Sequence, residues 1–153
     1  MSKSALAILA FFIMGGGLAI WGTMNQPPAP APAHSMAPPD TSRIAEGASI
    51  AEVAVPAELS SEAKIGKRAF EAKCATCHGA NAAGQNGVAP PLVHKIYEPN
   101  HHSDDAFVMA AKNGVQSHHW EFGNMPQIKG LTEADVKYIA RYVRELQREN
   151  GIN

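Results

Sequence analysis

Two cysteines and a histidine fall within five consecutive residues, Cys74-Ala75-Thr76-Cys77-His78. They are the only cysteines in the chain, which excludes a disulfide framework of several bridges. Cysteines at positions i and i+3 lie on one face of a helical turn, so both thiols can reach the two vinyl groups on one side of a porphyrin. His78 would then offer a ring nitrogen to the iron. C-x-x-C-H is the attachment signature of c-type haem, and we predict one covalently attached haem c.

Other chemistries of a cysteine pair fit this sequence less well. A thioredoxin-like redox pair also uses C-x-x-C, but no βαβ pattern surrounds these residues and His78 directly follows the second cysteine. Structural zinc needs further cysteines or histidines at zinc-ligand spacing, and the sequence has none. The motif therefore indicates haem attachment rather than thiol redox chemistry or a zinc site.

An iron bound by His78 needs a sixth ligand, and two methionines of the C-terminal half are candidates. Met109 falls inside a predicted helix, where methionine is usually a core residue. Met125 lies in the irregular stretch Gly123-Asn124-Met125-Pro126, where proline fixes the loop and a thioether can point inward. We therefore expect His78 and Met125 to be the axial ligands, a combination that raises the haem potential and suits electron transfer.

The same region is rich in further histidines: His94, His101, His102, His118 and His119. Imidazole suits copper or zinc, so a second metal is one interpretation. No pair has the i, i+4 spacing of helical ligands, which argues against a metal site. The other interpretations are solvated loop residues and residues packed beside the haem. We expect nearby Trp120 to pack against the porphyrin and to donate its N–H to a propionate.

Three helices must position these residues. The first should begin at the hydroxyls of Ser60 and Ser61 and run into Cys74, and a shorter one should extend from a Ser103 cap to Gly114. Thr132 and Asp135 form a capping box for the last helix. Its apolar face is predicted to contain Val136, Ile139, Ala140, Val143 and Leu146. Three short helices bury little core unaided, so we expect an all-α domain over residues 59–153 built around one haem.

The N-terminal residues have a different composition. Residues 5–24 contain no Asp, Glu, Lys, Arg or His, and as a helix they would span about 30 Å, the hydrocarbon thickness of a bilayer. Lys3 precedes this run, which places the N-terminus in the cytoplasm by the positive-inside rule. We predict an uncleaved transmembrane anchor over residues 1–24. A cleavable signal peptide is the alternative, although its apolar region is usually shorter.

Six prolines interleaved with alanine lie between Pro27 and Pro39, and the sequence to Glu58 has no helical or strand period. This composition favours an extended conformation, so residues 25–58 are predicted to be a flexible Pro/Ala-rich linker. The formal net charge of −1 argues against nucleic acid as a partner.

Residues 59–153 resemble the class I c-type cytochromes. Gly66 and Phe70 precede Cys74 by eight and four residues, as in the first helix of that family. The resemblance implies that the last helix crosses there, with Ile139 and Tyr142 at the matching positions. Pro90 and Leu92 resemble the Pro-x-Leu that follows the family's haem-binding histidine. The Pro90 carbonyl would then accept a hydrogen bond from the other nitrogen of His78.

The Met125-Pro126 pair resembles the distal ligand loop of the same family. With its anchor and linker, the chain looks like the membrane-bound cytochromes of respiratory or photosynthetic bacteria. This implies a one-electron carrier rather than an enzyme, single-pass in the bacterial inner membrane, with the haem domain facing the periplasm.

The donor would be a quinol-oxidising complex or a dehydrogenase, and the acceptor a terminal oxidase, a reductase or a reaction centre. By resemblance, a basic surface would dock such partners; its residues are Lys64, Lys67, Arg68, Lys73 and Lys129. Alternative functions are a haem subunit of a larger dehydrogenase or oxidase complex, a haem sensor or peroxidase with an open sixth position, and a thiol oxidoreductase.

Overall fold

The structure, a computed structural model, describes residues 36–153. The regular secondary structure of these residues is helical. The α-helices are α1 (Ser61–Lys73), α2 (Ala75–His78), α3 (Asp104–Asn113) and α4 (Glu133–Glu149), and 3₁₀ turns occur at Ala80–Ala82 and Lys95–Tyr97. In this part of the chain extended backbone pairs only in two isolated bridges, Gln85 with Ala89 and Val115 with Met125. The all-α prediction is confirmed for these residues.

Local capping explains where the helices begin. The Ser60 hydroxyl accepts a hydrogen bond from Ala63 N at 3.1 Å at the start of α1. Thr132 and Asp135 form the predicted reciprocal capping box of α4. Ser103 occupies the N-cap position of α3, but its side chain makes no capping hydrogen bond. The start of this helix is stabilised instead by two acidic residues in its first turn, Asp104 and Asp105, which interact favourably with the positive end of the helix dipole.

Helices α1 and α4 cross at Gly66, as the resemblance implies. A Cβ atom on Gly66 would lie 1.8 Å from the backbone oxygen of Tyr138, so only glycine permits this approach. One turn further along, the rings of Phe70 and Tyr142 pack at a centroid distance of 5.7 Å. Both rings are fully buried and belong to the main core cluster, together with Ile139. This crossing holds the end of α1, and therefore Cys74, against the core.

The five apolar residues predicted for the inner face of α4 are all buried in the structure: Val136, Ile139, Ala140, Val143 and Leu146. Two polar residues, Arg144 and Gln147, are buried on the same helix. A smaller cluster of Val108, Ala111 and Val136 packs α3 against α4. Both clusters leave space between the helices and the loop segments, and the candidate site occupies that space.

The second half of the stretch predicted as a linker lies against the domain. Gly47 N donates to Asn86 O at 2.9 Å, and Ala54 exchanges two hydrogen bonds with the side chain of Asn150. This segment has no helical or strand period, but its backbone groups find partners in distant loops, which composition does not reveal. Residues 1–35, with the predicted anchor and four of the six prolines between Pro27 and Pro39, lie outside the described residues. None of the helices within residues 36–153 is long and apolar enough to cross a membrane.

Candidate functional site

A cavity of about 540 Å³ opens between the helices and the loops that connect them. This volume lies within the range of sites that hold small molecules and cofactors. All the site residues predicted from the sequence line it: Cys74, Cys77, His78, Pro90, Leu92, Trp120 and Met125. The fold therefore gathers these residues, which span more than 50 positions of the chain, around one space.

The C-x-x-C-H motif forms a helical turn at the wall of this cavity. Cys74 N donates to Phe70 O at 2.7 Å, which continues α1 into the motif, and α2 contains the remaining four residues. The two thiols are unpaired and both line the cavity. The Gln85 amide holds the turn by donating to three backbone carbonyls, those of Ala75, Thr76 and Cys77. Nothing in the sequence had indicated this role of Gln85.

His78 is buried, and its Nδ1 lies 2.9 Å from the backbone oxygen of Pro90. A carbonyl can only accept, so Nδ1 must carry the proton and Nε2 keeps a free lone pair. Burial lowers the pKa of His78, and the hydrogen bond to Pro90 opposes part of that change. The imidazole is therefore neutral, fixed in orientation and able to bind a metal through Nε2.

The pKa of the Cys74 thiol helps to distinguish a haem-attachment site from a thiol redox site. Burial, with a smaller effect from neighbouring Cys77, raises the pKa of the Cys74 thiol to about 11. Redox-active cysteines instead have lowered pKa values that produce a reactive thiolate. The environment of Cys74 thus does not favour a thiol oxidoreductase.

Met125 lies in a loop that two backbone hydrogen bonds hold to Val115, each with an N···O distance of 2.9 Å. At the end of α3, Gly114 adopts φ +75°, and a Cβ atom there would lie 2.6 Å from Met125 O. The loop is thus fixed against the end of α3 with Met125 at the cavity wall. Met109 also lines the cavity, but it lies on α3, where its side chain is 54% exposed.

Trp120 is the buried aromatic residue of this wall, with 7% of its surface exposed. Its ring packs against those of His94 and Phe122, and its backbone oxygen accepts a hydrogen bond from the Ser117 hydroxyl. The indole Nε1 is the buried side-chain polar atom that has no hydrogen-bond partner in the described part of the chain. The indole N–H nevertheless affects the pKa of the Tyr97 phenol. Burial raises this pKa to about 12, and the indole N–H opposes part of the rise without forming a hydrogen bond of normal geometry.

These observations test whether a haem fits the site. Two exposed apolar residues, Val88 and Met109, line the cavity, where they are 43% and 54% exposed. The wall also offers two thiols on one helical turn, a neutral imidazole, a thioether and an unpartnered N–H for an anionic group. Apolar walls with a few directed polar groups are typical of cofactor sites, and this donor set fits a covalently bound haem.

A buried arginine that the sequence analysis missed holds one side of the cavity. Arg144 is 4% exposed and donates from its guanidinium to Asp104 Oδ1 at 2.8 Å and to Tyr97 O at 2.6 Å. It also donates to Gln147 Oε1 at 2.6 Å and to His102 O. Helix α4 is thereby tied to the segment 97–104. In the sequence, the role of Arg144 could have been recognised from its position as a charged residue on the apolar face of α4.

The additional histidines are brought together, except for His94, which packs against Trp120. Residues His101 and His102 come just before α3, and His118 and His119 lie in the loop that follows it. The ring centroids of His101 and His119 are 5.3 Å apart, and those of His118 and His119 are 4.3 Å apart. Three of these residues, His102, His118 and His119, also line the cavity.

The basic residues of α1 are exposed or half-buried. Lys73 also lines the cavity beside Cys74, and its Nζ lies 3.5 Å from the backbone oxygen of Lys129. Lys67 forms a surface ion pair with Glu71 at 3.8 Å. Lys73 and Lys129 thus share a surface next to the cysteine turn.

A family model described as cytochrome c matches residues 63–147, more than half of the chain. The match begins in α1, contains the C-x-x-C-H turn and the Met125 loop, and ends near the end of α4. Neither a curated protein nor a solved structure matches the chain.

Proposed function

The chain belongs to the cytochrome c family, and on this premise we propose that it is a membrane-anchored one-electron carrier of a bacterial respiratory or photosynthetic chain. Family membership makes it an electron-transfer haem protein with covalently attached haem c and an all-α cytochrome c fold. The anchor, the ligand set and the partners are the proposed parts.

Each site residue has a proposed role toward the haem. Cys74 and Cys77 would hold it through thioethers, and His78 and Met125 would bind its iron. When bound, haem c supplies an iron that gains and loses one electron. Pro90 keeps the proton on Nδ1 of His78, Leu92 supplies part of the apolar wall, and the Trp120 N–H donates to a propionate.

The observation that supports this role most strongly is the His78–Pro90 hydrogen bond at a cavity that Met125 also lines. A neutral histidine and a thioether are the ligand pair of high-potential electron carriers. A sensor or a peroxidase needs an open or labile sixth position, whereas the Met125 loop is held by backbone hydrogen bonds and by close packing at Gly114.

In this proposal residues 5–24 anchor the chain in the inner membrane and the haem domain faces the periplasm. The basic surface around Lys73 and Lys129 lies beside the cysteine turn, where an acidic redox partner would approach the haem. A quinol-oxidising complex or a dehydrogenase would supply the electron. A terminal oxidase, a reductase or a reaction centre would accept it.

Covalent attachment is tested by acid–acetone extraction of protein from a host with export and haem-attachment machinery. Haem should stay with the native chain and be lost from the C74S/C77S double variant, while T76S, at the exposed position between the cysteines, should behave like the native chain. Complete loss of haem from the native chain would contradict the proposed attachment.

Membrane anchoring is tested separately by fractionation. The full-length protein should remain with washed membranes, and residues 36–153 expressed alone for export should be soluble with an unchanged haem spectrum. A soluble periplasmic chain that begins near residues 25–34 would show instead that the N-terminal segment is a cleaved signal peptide.

A further inference from the structure

Three histidines outside the proposed ligand set converge at the side of the cavity. One ring nitrogen from each of His101, His102 and His119 lies within 4.8 Å of the corresponding nitrogens of the other two. Two of these side chains are half-buried and one is exposed, so the cluster is open to solvent on one side. Such a group of neutral donors, without a carboxylate among them, is the type of site that binds copper or zinc.

We propose that His101, His102 and His119 form a binding site for one divalent first-row transition metal ion, separate from the haem iron. Three imidazoles would occupy three positions, and the solvent-facing side would leave the fourth to water. Three protein ligands with one open position is an established arrangement for zinc, and imidazole suits copper equally well. This proposal does not depend on the ligands assigned to the haem.

The distance between two of the donors supports it. His101 Nε2 and His119 Nε2 are 3.3 Å apart. Two nitrogens that each lie about 2.0–2.1 Å from one ion in tetrahedral geometry are separated by about 3.3–3.4 Å. The two nitrogens share a hydrogen bond at this distance, which is also the spacing of two ligands of one ion.

The third histidine is already oriented as metal ligands usually are. His102 Nδ1 lies 2.7 Å from the backbone oxygen of Ile96, which can only accept, so Nδ1 carries the proton and Nε2 keeps its lone pair. A ligating histidine commonly donates its other N–H to a backbone carbonyl in this way. The carbonyl of His102 is in turn held by Arg144, so both the ring and the backbone of this residue are fixed.

A bound ion would join two segments whose ligands are 17 or 18 positions apart in the chain. His101 and His102 precede α3, and His119 lies in the loop between α3 and the Met125 segment. Because both segments contribute to the cavity wall, metal binding would stiffen the wall on the Trp120 side.

The test uses the full-length haem-loaded protein in detergent, treated with a chelator and kept in the ferric state so that added Cu²⁺ is not reduced by the haem. Equilibrium dialysis against Zn²⁺ or Cu²⁺, followed by elemental analysis, should give one equivalent of added metal per haem. Cu²⁺ should bind more tightly than Zn²⁺, following the usual order for divalent ions. The paramagnetic resonance spectrum of the Cu²⁺ form should show imidazole nitrogen coupling.

Variants identify the ligands. H101Q, at an exposed position, and the H101Q/H119Q pair should each weaken binding by at least about 100-fold, more than the loss of an outer partner usually costs. The matched control is H118Q, because the ring centroid of His118 lies 4.3 Å from that of His119 but His118 is not among the three converging donors. Absence of binding to the native chain, unchanged binding in H101Q/H119Q, or an equal loss in H118Q would each overturn the proposed site.

Discussion

The backbone oxygen of Tyr138 lies where a side chain on Gly66 would begin, since a Cβ atom there would be only 1.8 Å away. Helix α4 therefore crosses α1 at a distance that no residue but glycine allows. Two turns later α1 ends at the cysteine turn, so this contact positions the site as well as the core.

Replacing Gly66 with alanine should force the two helices apart. Overpacking usually costs about 1–3 kcal/mol, and we expect the upper end of that range because the neighbour is backbone and cannot rotate away. Chemical denaturation of the haem protein measures this loss. The control is I65A, one residue earlier and 39% exposed, which should change the free energy of unfolding much less. Equal effects of the two variants would contradict the close crossing.

Gly114 should control the position of Met125. The variant G114A places a methyl group about 2.6 Å from Met125 O and at a backbone conformation that alanine disfavours. We expect the Met125 loop to shift, which should weaken the charge-transfer band of the ferric haem and lower the reduction potential. The control G123A alters a glycine of similar φ whose Cβ would meet no atom within 4 Å. A band and potential that are equally affected in G123A would count against this role of Gly114.

Arg144 should contribute much more stability than a surface arginine on the same helix. In R144M the carbonyl of His102 and Oε1 of the buried Gln147 lose their donor, whereas Tyr97 O keeps the amide of Gln147. Each buried unsatisfied group costs about 1–3 kcal/mol. The matched control is R141M, which removes an exposed ion pair with Glu62 and should cost about 0–1 kcal/mol. Urea unfolding of both variants makes the comparison, and similar midpoints would show that the Arg144 network adds little.

The capping box should make the stability of α4 depend on pH. Hydrogen bonds from the Thr132 side chain and backbone hold the pKa of Asp135 below its ordinary value of 3.8. Since the folded-state pKa is the lower one, the contribution is fully present above the unfolded pKa and is lost as pH falls through the folded one. The D135N substitution should therefore lower the urea midpoint near pH 6 and have a diminishing effect as the pH falls below 3.8. In a T132A background the effect near pH 6 should be smaller but still present, because the backbone N–H of residue 132 continues to donate to Asp135.

Local sequence patterns were sufficient for the parts of the site that depend on neighbouring residues. The cysteine turn depends on a five-residue motif, and the start of α4 depends on Thr132 and Asp135, three residues apart. The role of Pro90 was predicted from the resemblance to a family. In the structure its carbonyl oxygen lies 2.9 Å from His78 Nδ1.

Features that depend on contacts between distant segments could not be predicted from local sequence patterns. The convergence of His101 with His119 has no periodic signal, because the two residues come together only when the loops before and after α3 fold back. The four acceptors of Arg144 are backbone and side-chain groups far from it in sequence, apart from Gln147. The packing of residues 41–54 similarly depends on hydrogen bonds to loops that composition does not specify.

The identity of the sixth ligand tests the proposed electron carrier most directly. Spectra and potentiometric titration of the full-length protein should show a one-electron transition and the weak charge-transfer band of ferric histidine–methionine haem. M125H should keep the covalent haem, lose the band and have a strongly lowered potential, because imidazole stabilises ferric iron better than a thioether does. M109L should retain both properties, since it exchanges one apolar side chain for another of similar volume. Loss of the band in M109L but not in M125L, or a native protein without the band, would contradict the account.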